Sequence, residues 1–274
     1  MSTVDRVSLV GVGKMGEAFL IGLLRSGYDS NLLMICDSDG ERVKEIVNKY
    51  NVKGTISIGE ATSWGEVIFI AVKPKDVVNV LSQMVGCAQG KIIVSFAAGV
   101  ALEQISKFLK NATCIIRAMP NLACRVRQGV IAVSKGILTE DGAYRRAISL
   151  LRKTGDVYEV DEESIDIATG LTGSGPAYVC YFIESLRDAG SKLGLDENTS
   201  AKMVLQLLYG TSKLLLEEVI TPEGLRNLVT TPGGTTAKGL EVFNECGFKV
   251  CVTRAIEMAT QRAKEIAQEF KRSE

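Results

Sequence analysis

Two glycine-rich stretches hold the residues whose types and spacing suit chemistry. The first, GVGKMG at residues 11–16, has the spacing G-x-G-x-x-G. Between a strand and a helix, Gly11 permits a tight turn, Gly13 lets a pyrophosphate approach the backbone, and Gly16 lets the helix pack close to a sheet. The helix opening at Lys14 and Met15 then offers free N–H groups and the positive end of its dipole to phosphates. A merely structural turn is the alternative. Asp37 ends a second apolar run, LLMICD at 32–37, about where an acid takes the ribose hydroxyls of a dinucleotide. Such an acid repels a 2′-phosphate, so these residues favour NADH over NADPH. Ser38 adds a hydroxyl able to bond a phosphate, and the nearest base beyond it is Arg42. The alternative for Asp37 is a solvated turn residue.

The second stretch is TTPGGTTAKG at 230–239, where Gly233 and Gly234 stand between pairs of threonines, with no acid, directly before a helical pattern. It reads either as a turn that caps the helix or as a ligand cradle offering hydroxyls where a catalytic acid would be expected. Two further segments end strands. AVKP comprises Ala71, Val72, Lys73 and Pro74, and AAG comprises Ala97, Ala98 and Gly99. Both fall at the carboxyl edge of a sheet, where ligands bind in open α/β folds. Lys73 is either a cation beside a ligand or a lysine snorkelling from a strand end.

Composition removes whole classes of mechanism. There is no histidine, which excludes Ser–His and Cys–His nucleophiles and any histidine-bearing zinc site. The seven cysteines, at 36, 87, 114, 124, 180, 246 and 251, form no CxxC pair. They read as small buried hydrophobes in a reducing compartment, so a cytoplasmic protein without a metal is expected. Lys and Arg total 32, as do Asp and Glu, a balance that gives no reason to expect nucleic acid or an anionic membrane as partner. No apolar run approaches the ~18 residues of a membrane helix. The first residues are too short and too glycine-rich a stretch for a signal peptide.

The elements that must position these residues alternate in the first half. Apolar runs at 6–13, 32–37, 66–72, 91–100, 114–120, 129–134 and 157–160 predict strands. Helical patterns follow at 14–27, 41–50, 74–86 and 101–109. This alternation predicts an α/β domain with a doubly wound parallel sheet covered on both faces. The second half predicts helices alone, at 176–194, 196–218, 222–229, 235–246 and 248–270. The helix over 196–218 is apolar on more than one face, at Met203, Val204, Leu207, Leu208 and Leu214–Leu216. Such helices need a partner, either a second subunit or the first domain. The boundary is placed between a dinucleotide-binding domain over 1–162 and a helical dimerisation and substrate domain over 163–274.

Together these segments resemble the pyrroline-5-carboxylate reductases. The likeness runs along the chain through GVGKMG, AVKP, SFAAGV (95–100), IRAMPN (116–121), TGLTGSGPAYV (169–179) and TPGGTT (231–236). GLTGSGPAY followed at that distance by TPGGTT is its most specific part. The resemblance implies a Rossmann domain, then a helical domain that interleaves with its partner in a homodimer with swapped helices, and further assembly into decamers. It implies an oxidoreductase of proline biosynthesis that reduces 1-pyrroline-5-carboxylate to L-proline with NADPH or NADH. NADPH is the common choice in the family, whereas Asp37 points the other way. It implies that Gly233, Gly234 and Thr235 hold the substrate carboxylate through backbone N–H groups. Thr236 then meets the ring nitrogen as the catalytic hydroxyl, and the loop reaches a cofactor held by the other subunit. Lys73 and Ala97–Gly99 are implied to lie at the nicotinamide end, with Lys73 also toward the substrate, and Asn121 near the same cleft. Two other readings stand beside it. Reductases of the 3-hydroxyacid dehydrogenase type use a lysine on the first helix of the second domain, and here GPAYVCYFIESLRDAG holds none before Lys192. A non-catalytic NAD(P)-sensing protein would not need the intact substrate-type loop.

Overall fold

A computed structural model describes residues 5–137 and 139–272. In its first half, short runs of β-branched and apolar residues become strands and the amphipathic segments between them become helices. The order is β1 (Val7–Val10), α1 (Lys14–Arg25), β2 (Leu33–Cys36), α2 (Gly40–Tyr50), β3 (Lys53–Thr55), α3 (Ile58–Trp64), β4 (Val67–Ile70), α4 (Val77–Met84), β5 (Ile92–Ser95), α5 (Leu102–Phe108), β6 (Cys114–Met119), β7 (Gly129–Lys135), α6 (Asp141–Arg152), β8 (Gly155–Glu159) and α7 (Ser164–Ala168). A π-helical turn, Thr169–Gly173, follows α7.

The eight strands form one sheet in the order β3-β2-β1-β4-β5-β6-β7-β8. The first six follow the order of dinucleotide-binding folds, with the switch point between β1 and β4. Pairing is parallel except between β6 and β7, so β7 and β8 run against the other six. The expectation of a parallel sheet therefore holds for β1 to β6. The reversal follows from the short β6–β7 connection, since a parallel crossover needs a dozen or more residues.

β1, β2, β4 and β5 are buried on both faces, and successive side chains serve opposite cores. On one face Leu9, Ile35 and Phe69 meet Phe19, Leu20 and Leu23 of α1, Ile46 of α2 and Leu151 of α6. On the other, Val10, Cys36, Ile68 and Ile70 meet Ala61 of α3, Leu81 and Met84 of α4, and Ile105 of α5. Phe19 lies 4.6 Å from Phe69 and 5.1 Å from Phe96 by ring centroids. This aromatic triad locks the first turns of α1 to the sheet below the glycine loop.

The remaining helices are α8 (Gly175–Lys192), α9 (Glu197–Glu217), α10 (Pro222–Leu228), α11 (Thr235–Glu245) and α12 (Phe248–Arg272). The described residues divide into two units. One holds those up to Ser174 and those from Glu257 onward, and the other is Gly175–Ile256. In the second unit Asp196 caps α9 by accepting from Thr199 N at 2.9 Å. α8 approaches α9 at Gly190, where a Cβ would lie 2.4 Å from Ser200 Oγ. Phe243 and Phe248 join α11 to α12 at 5.2 Å.

Candidate active site

The glycine loop turns where β1 meets α1. Gly11 has φ +94°, and a Cβ there would lie 2.8 Å from the carbonyl carbon of Ala71. A Cβ on Gly16 would lie 2.1 Å from Gly11 O, so this contact is open only to glycine. Gly13 differs: it is the N-cap of α1 with no side-chain cap, and nothing lies within 4 Å of its Cβ position. The first N–H groups of α1, at Lys14 and Met15, thus face an open approach at the positive end of a 12-residue helix. Lys14 is exposed and Met15 half-buried.

The Val12 peptide is held from both sides. Its N–H donates to Asp37 Oδ2 at 2.9 Å, and its carbonyl accepts from Arg42 Nε at 3.1 Å. Asp37 Oδ1 accepts from Asp39 N at 3.1 Å, so both carboxylate oxygens engage backbone N–H groups. Arg42 also pairs with Glu17 at 2.6 Å and Glu45 at 2.7 Å. Glu17 accepts in addition from Tyr50 at 2.7 Å and Lys49 at 3.2 Å. Burial pushes the Glu17 carboxyl up, yet the bonds from Tyr50, Arg42 and Lys49 outweigh it and hold the pKa at about 2.

A cavity of about 310 Å³ opens beside the loop and is lined by Gly11, Gly13, Asp37, Ser38, Ala71, Val72 and Lys73. Ile58, Lys75, Asp76 and Asn79 line it too; sequence reasoning did not select them. The signal for Lys75 was its place directly after AVKP at the start of a helix. Cys36 lines the same cavity. Burial first, then the charges of Asp37 and Glu60, push its thiol up to about 11, so it stays protonated at neutral pH. Open space at Gly13, unpaired helix N–H groups and a polar cavity at the switch point together fit a dinucleotide.

Further along the carboxyl edge, Ala97 and Gly99 are buried and Ala98 half-buried. Gly99 has φ +75°, and a Cβ there would lie 2.8 Å from Ala267 N of α12. Pro74 opens a 3₁₀ turn after Lys73. Asn121 is buried, and its amide bonds backbone at both ends: Oδ1 accepts from Ala123 N and Val130 N, and Nδ2 donates to Thr172 O at 3.1 Å. A larger cavity of about 710 Å³, between α5 and the β6–β7 side, shares no residue with the expected site.

In the second unit the threonine-glycine loop forms a tight turn. Gly234 N donates to Thr231 O at 3.0 Å, and Gly233 has φ +73°, the type II geometry that suits Pro at 232 and Gly at 233. Gly234 is the N-cap of α11 with no side-chain cap, and a Cβ on it would lie 2.4 Å from Thr231 Oγ1. The Gly234 N–H is thus engaged within the turn. Those of Thr235 and Thr236 are the first open donors of α11.

The doubly wound sheet, the uncapped glycine loop at its switch point and the cavity beside it define a dinucleotide-binding protein with an added helical unit. Residues 162–266 match the family model described as pyrroline-5-carboxylate reductase dimerisation, and residues 6–99 match that of an NADP oxidoreductase, coenzyme F420-dependent. Pyrroline-5-carboxylate reductase 1 of Bacillus subtilis is 32% identical over 98% of this chain and 91% of its own. The pyrroline carboxylate reductase of Plasmodium falciparum, solved with NADP bound, superposes with a TM-score of 0.88 at 26% identity, covering 96% of this chain and 98% of its own. The reductase of Coxiella burnetii gives 0.89 at 29%, covering 97% and 99%. The chain belongs to the pyrroline-5-carboxylate reductase family. Among the described residues no helix is long and apolar enough to cross a membrane.

Proposed function

We propose that the chain adds hydride to the imine carbon of 1-pyrroline-5-carboxylate and releases L-proline. One observation carries this reading: a chain similar to such reductases over almost its whole length combines an uncapped glycine loop at the switch point with a glycine turn that opens α11 at two threonines. Bound NADH or NADPH supplies the hydride.

The protein's own task is to hold the substrate. The N–H groups at the start of α11, at Thr235 and Thr236, receive the substrate carboxylate with the helix dipole behind them. Gly233 and Gly234 let the turn close so that those groups point outward. The Thr236 hydroxyl orients the ring nitrogen and relays a proton to or from water. A cyclic imine is basic enough to bring its own proton near neutral pH, so no histidine or carboxylic acid is required. Orientation of the reacting carbon then does most of the work. Lys14 and Met15 present backbone N–H groups to the pyrophosphate. Lys73 adds positive charge at the carboxyl edge, and Ala97–Gly99 form the floor on the nicotinamide side.

Cofactor preference follows from the loop after β2. Arg42, the base closest to it in sequence, is engaged by Glu17, Glu45 and Val12 O, and Asp37 adds negative charge. This supports NADH as the better donor. The apolar residues exposed on α8 and α9, Val179, Tyr181, Leu205, Leu207 and Leu216 among them, support a dimer; that its helices interleave so that each loop meets the partner's cofactor, and that dimers assemble into decamers, rests on the family resemblance. Seven free cysteines support a reducing, cytoplasmic setting. The test is product analysis: incubation with the imine and NADH should yield one L-proline per NADH oxidised, and cofactor binding without proline formation would favour a sensing role.

A further inference from the structure

The end of β6 and the residues just after it hold both α7 and the π-helical turn that follows it. Arg117, with 5% of its side chain exposed, reaches Asp166 of α7 at 2.6 Å. Its other terminal nitrogen stands 3.7 Å from Glu162 Oε1, an oxygen that also accepts from Leu102 N at 2.6 Å. Asn121, two residues past β6, donates to Thr172 O. Between them Met119 packs against the turn, its sulfur 3.4 Å from the Cβ position of Gly173. The turn closes by an i→i+5 bond from Ser174 N to Thr169 O at 3.0 Å. π-helix occurs mostly as such single turns, which are frequent at functional sites. Ala98, in the AAG turn, packs on the same small cluster of Met119, Ala132 and Ile165.

We infer that Arg117 is a positioning residue for the proposed reduction: through Asp166 and Glu162 it sets the register of α7 and the π turn against the carboxyl end of β6, and so the floor beside Ala98. A buried ion pair is a poor source of stability, because desolvation offsets its attraction and apolar residues of similar size often do as well. What it adds is direction. The guanidinium hydrogen-bonds the Asp166 carboxylate on α7 and stands within ion-pair reach of Glu162 just before α7, with its Nε left without a partner among the described residues. Arg117 touches neither substrate nor cofactor, and it acts through the turn.

The inference rests on the proposed reduction, and its test separates the two. Wild type, Arg117→Lys and the apolar double variant Arg117→Met/Asp166→Leu are compared by steady-state kinetics on the imine, by NADH fluorescence titration and by Tm. The double variant is expected to keep its Tm and NADH affinity while kcat falls about a hundredfold, the cost of misplacing a reacting geometry by ~1 Å. Arg117→Lys, which keeps the charge without the fork, is expected to recover part of that loss. Unchanged kcat in both variants beside an active wild type would overturn the inference and leave the reduction standing. So would a loss of kcat that only tracks a fall in Tm and in NADH affinity. An inactive wild type would overturn the reduction and this inference with it.

Discussion

One peptide group shows how the site is built from single residues. At Val12 the N–H goes to Asp37 and the carbonyl to Arg42, so the acid at the end of β2 shapes the glycine loop as well as facing the cavity. The sequence marked Asp37 as a ribose ligand but not as a brace, because a bond between residues 25 apart leaves no local pattern. Asn121 was likewise marked for the cleft, and its amide turns out to hold backbone. Asp37→Asn keeps an acceptor for Val12 N–H and removes the charge. The ratio of kcat/KM with NADPH to that with NADH should rise about tenfold, equivalent to ~1.4 kcal/mol; an unchanged ratio removes Asp37 from cofactor selection. At Thr236 the expected change is in kcat alone. Thr236→Ala should lower kcat on the imine about a hundredfold, within the range of proton-transfer contributions, and leave NADH affinity by fluorescence titration unaltered.

Between elements, α1 and α2 are joined by Glu17, which Arg42, Lys49 and Tyr50 surround. Its pKa lies at about 2 against an ordinary 4.5, lower folded than unfolded. The stability it lends is therefore fully present above about 4.5 and is lost as pH falls toward about 2. Wild type should accordingly be more stable than Glu17→Gln at neutral pH, with the difference in denaturation midpoint shrinking through that window; a difference independent of pH would contradict this account. Strand legibility followed burial. Fully apolar runs such as VIFI in β4 were plain, whereas β3, just Lys-Gly-Thr on an exposed edge, holds no hydrophobic signal. α6 carries a weaker signal, because its buried stripe at Ala143, Ala147, Ile148 and Leu151 opens on small alanines among charged residues. The reversal at β7 was legible in the length of the connection and was not drawn from it.

For the whole molecule, the second unit is the part that its own sequence could not complete. Its helices were readable from periodicity and caps, but α8 and α11 bury no residue fully and α9 buries only Ser200 and Val204. What covers such faces is a matter of assembly, and residues 162–266 match a dimerisation family. Leu207→Arg, a charge placed on the exposed apolar face of α9, should shift the protein toward monomer in analytical ultracentrifugation and abolish turnover together; an active monomer would contradict the proposed interleaved dimer. The central claim is the proposed reduction of the cyclic imine, with residues 11–16 serving the dinucleotide and the turn at 231–236 serving the substrate. Initial rates on 1-pyrroline-5-carboxylate with NADH and with NADPH test it directly. The account predicts imine-dependent oxidation of both, with the higher kcat/KM for NADH; tight cofactor binding with no imine-dependent oxidation would contradict it.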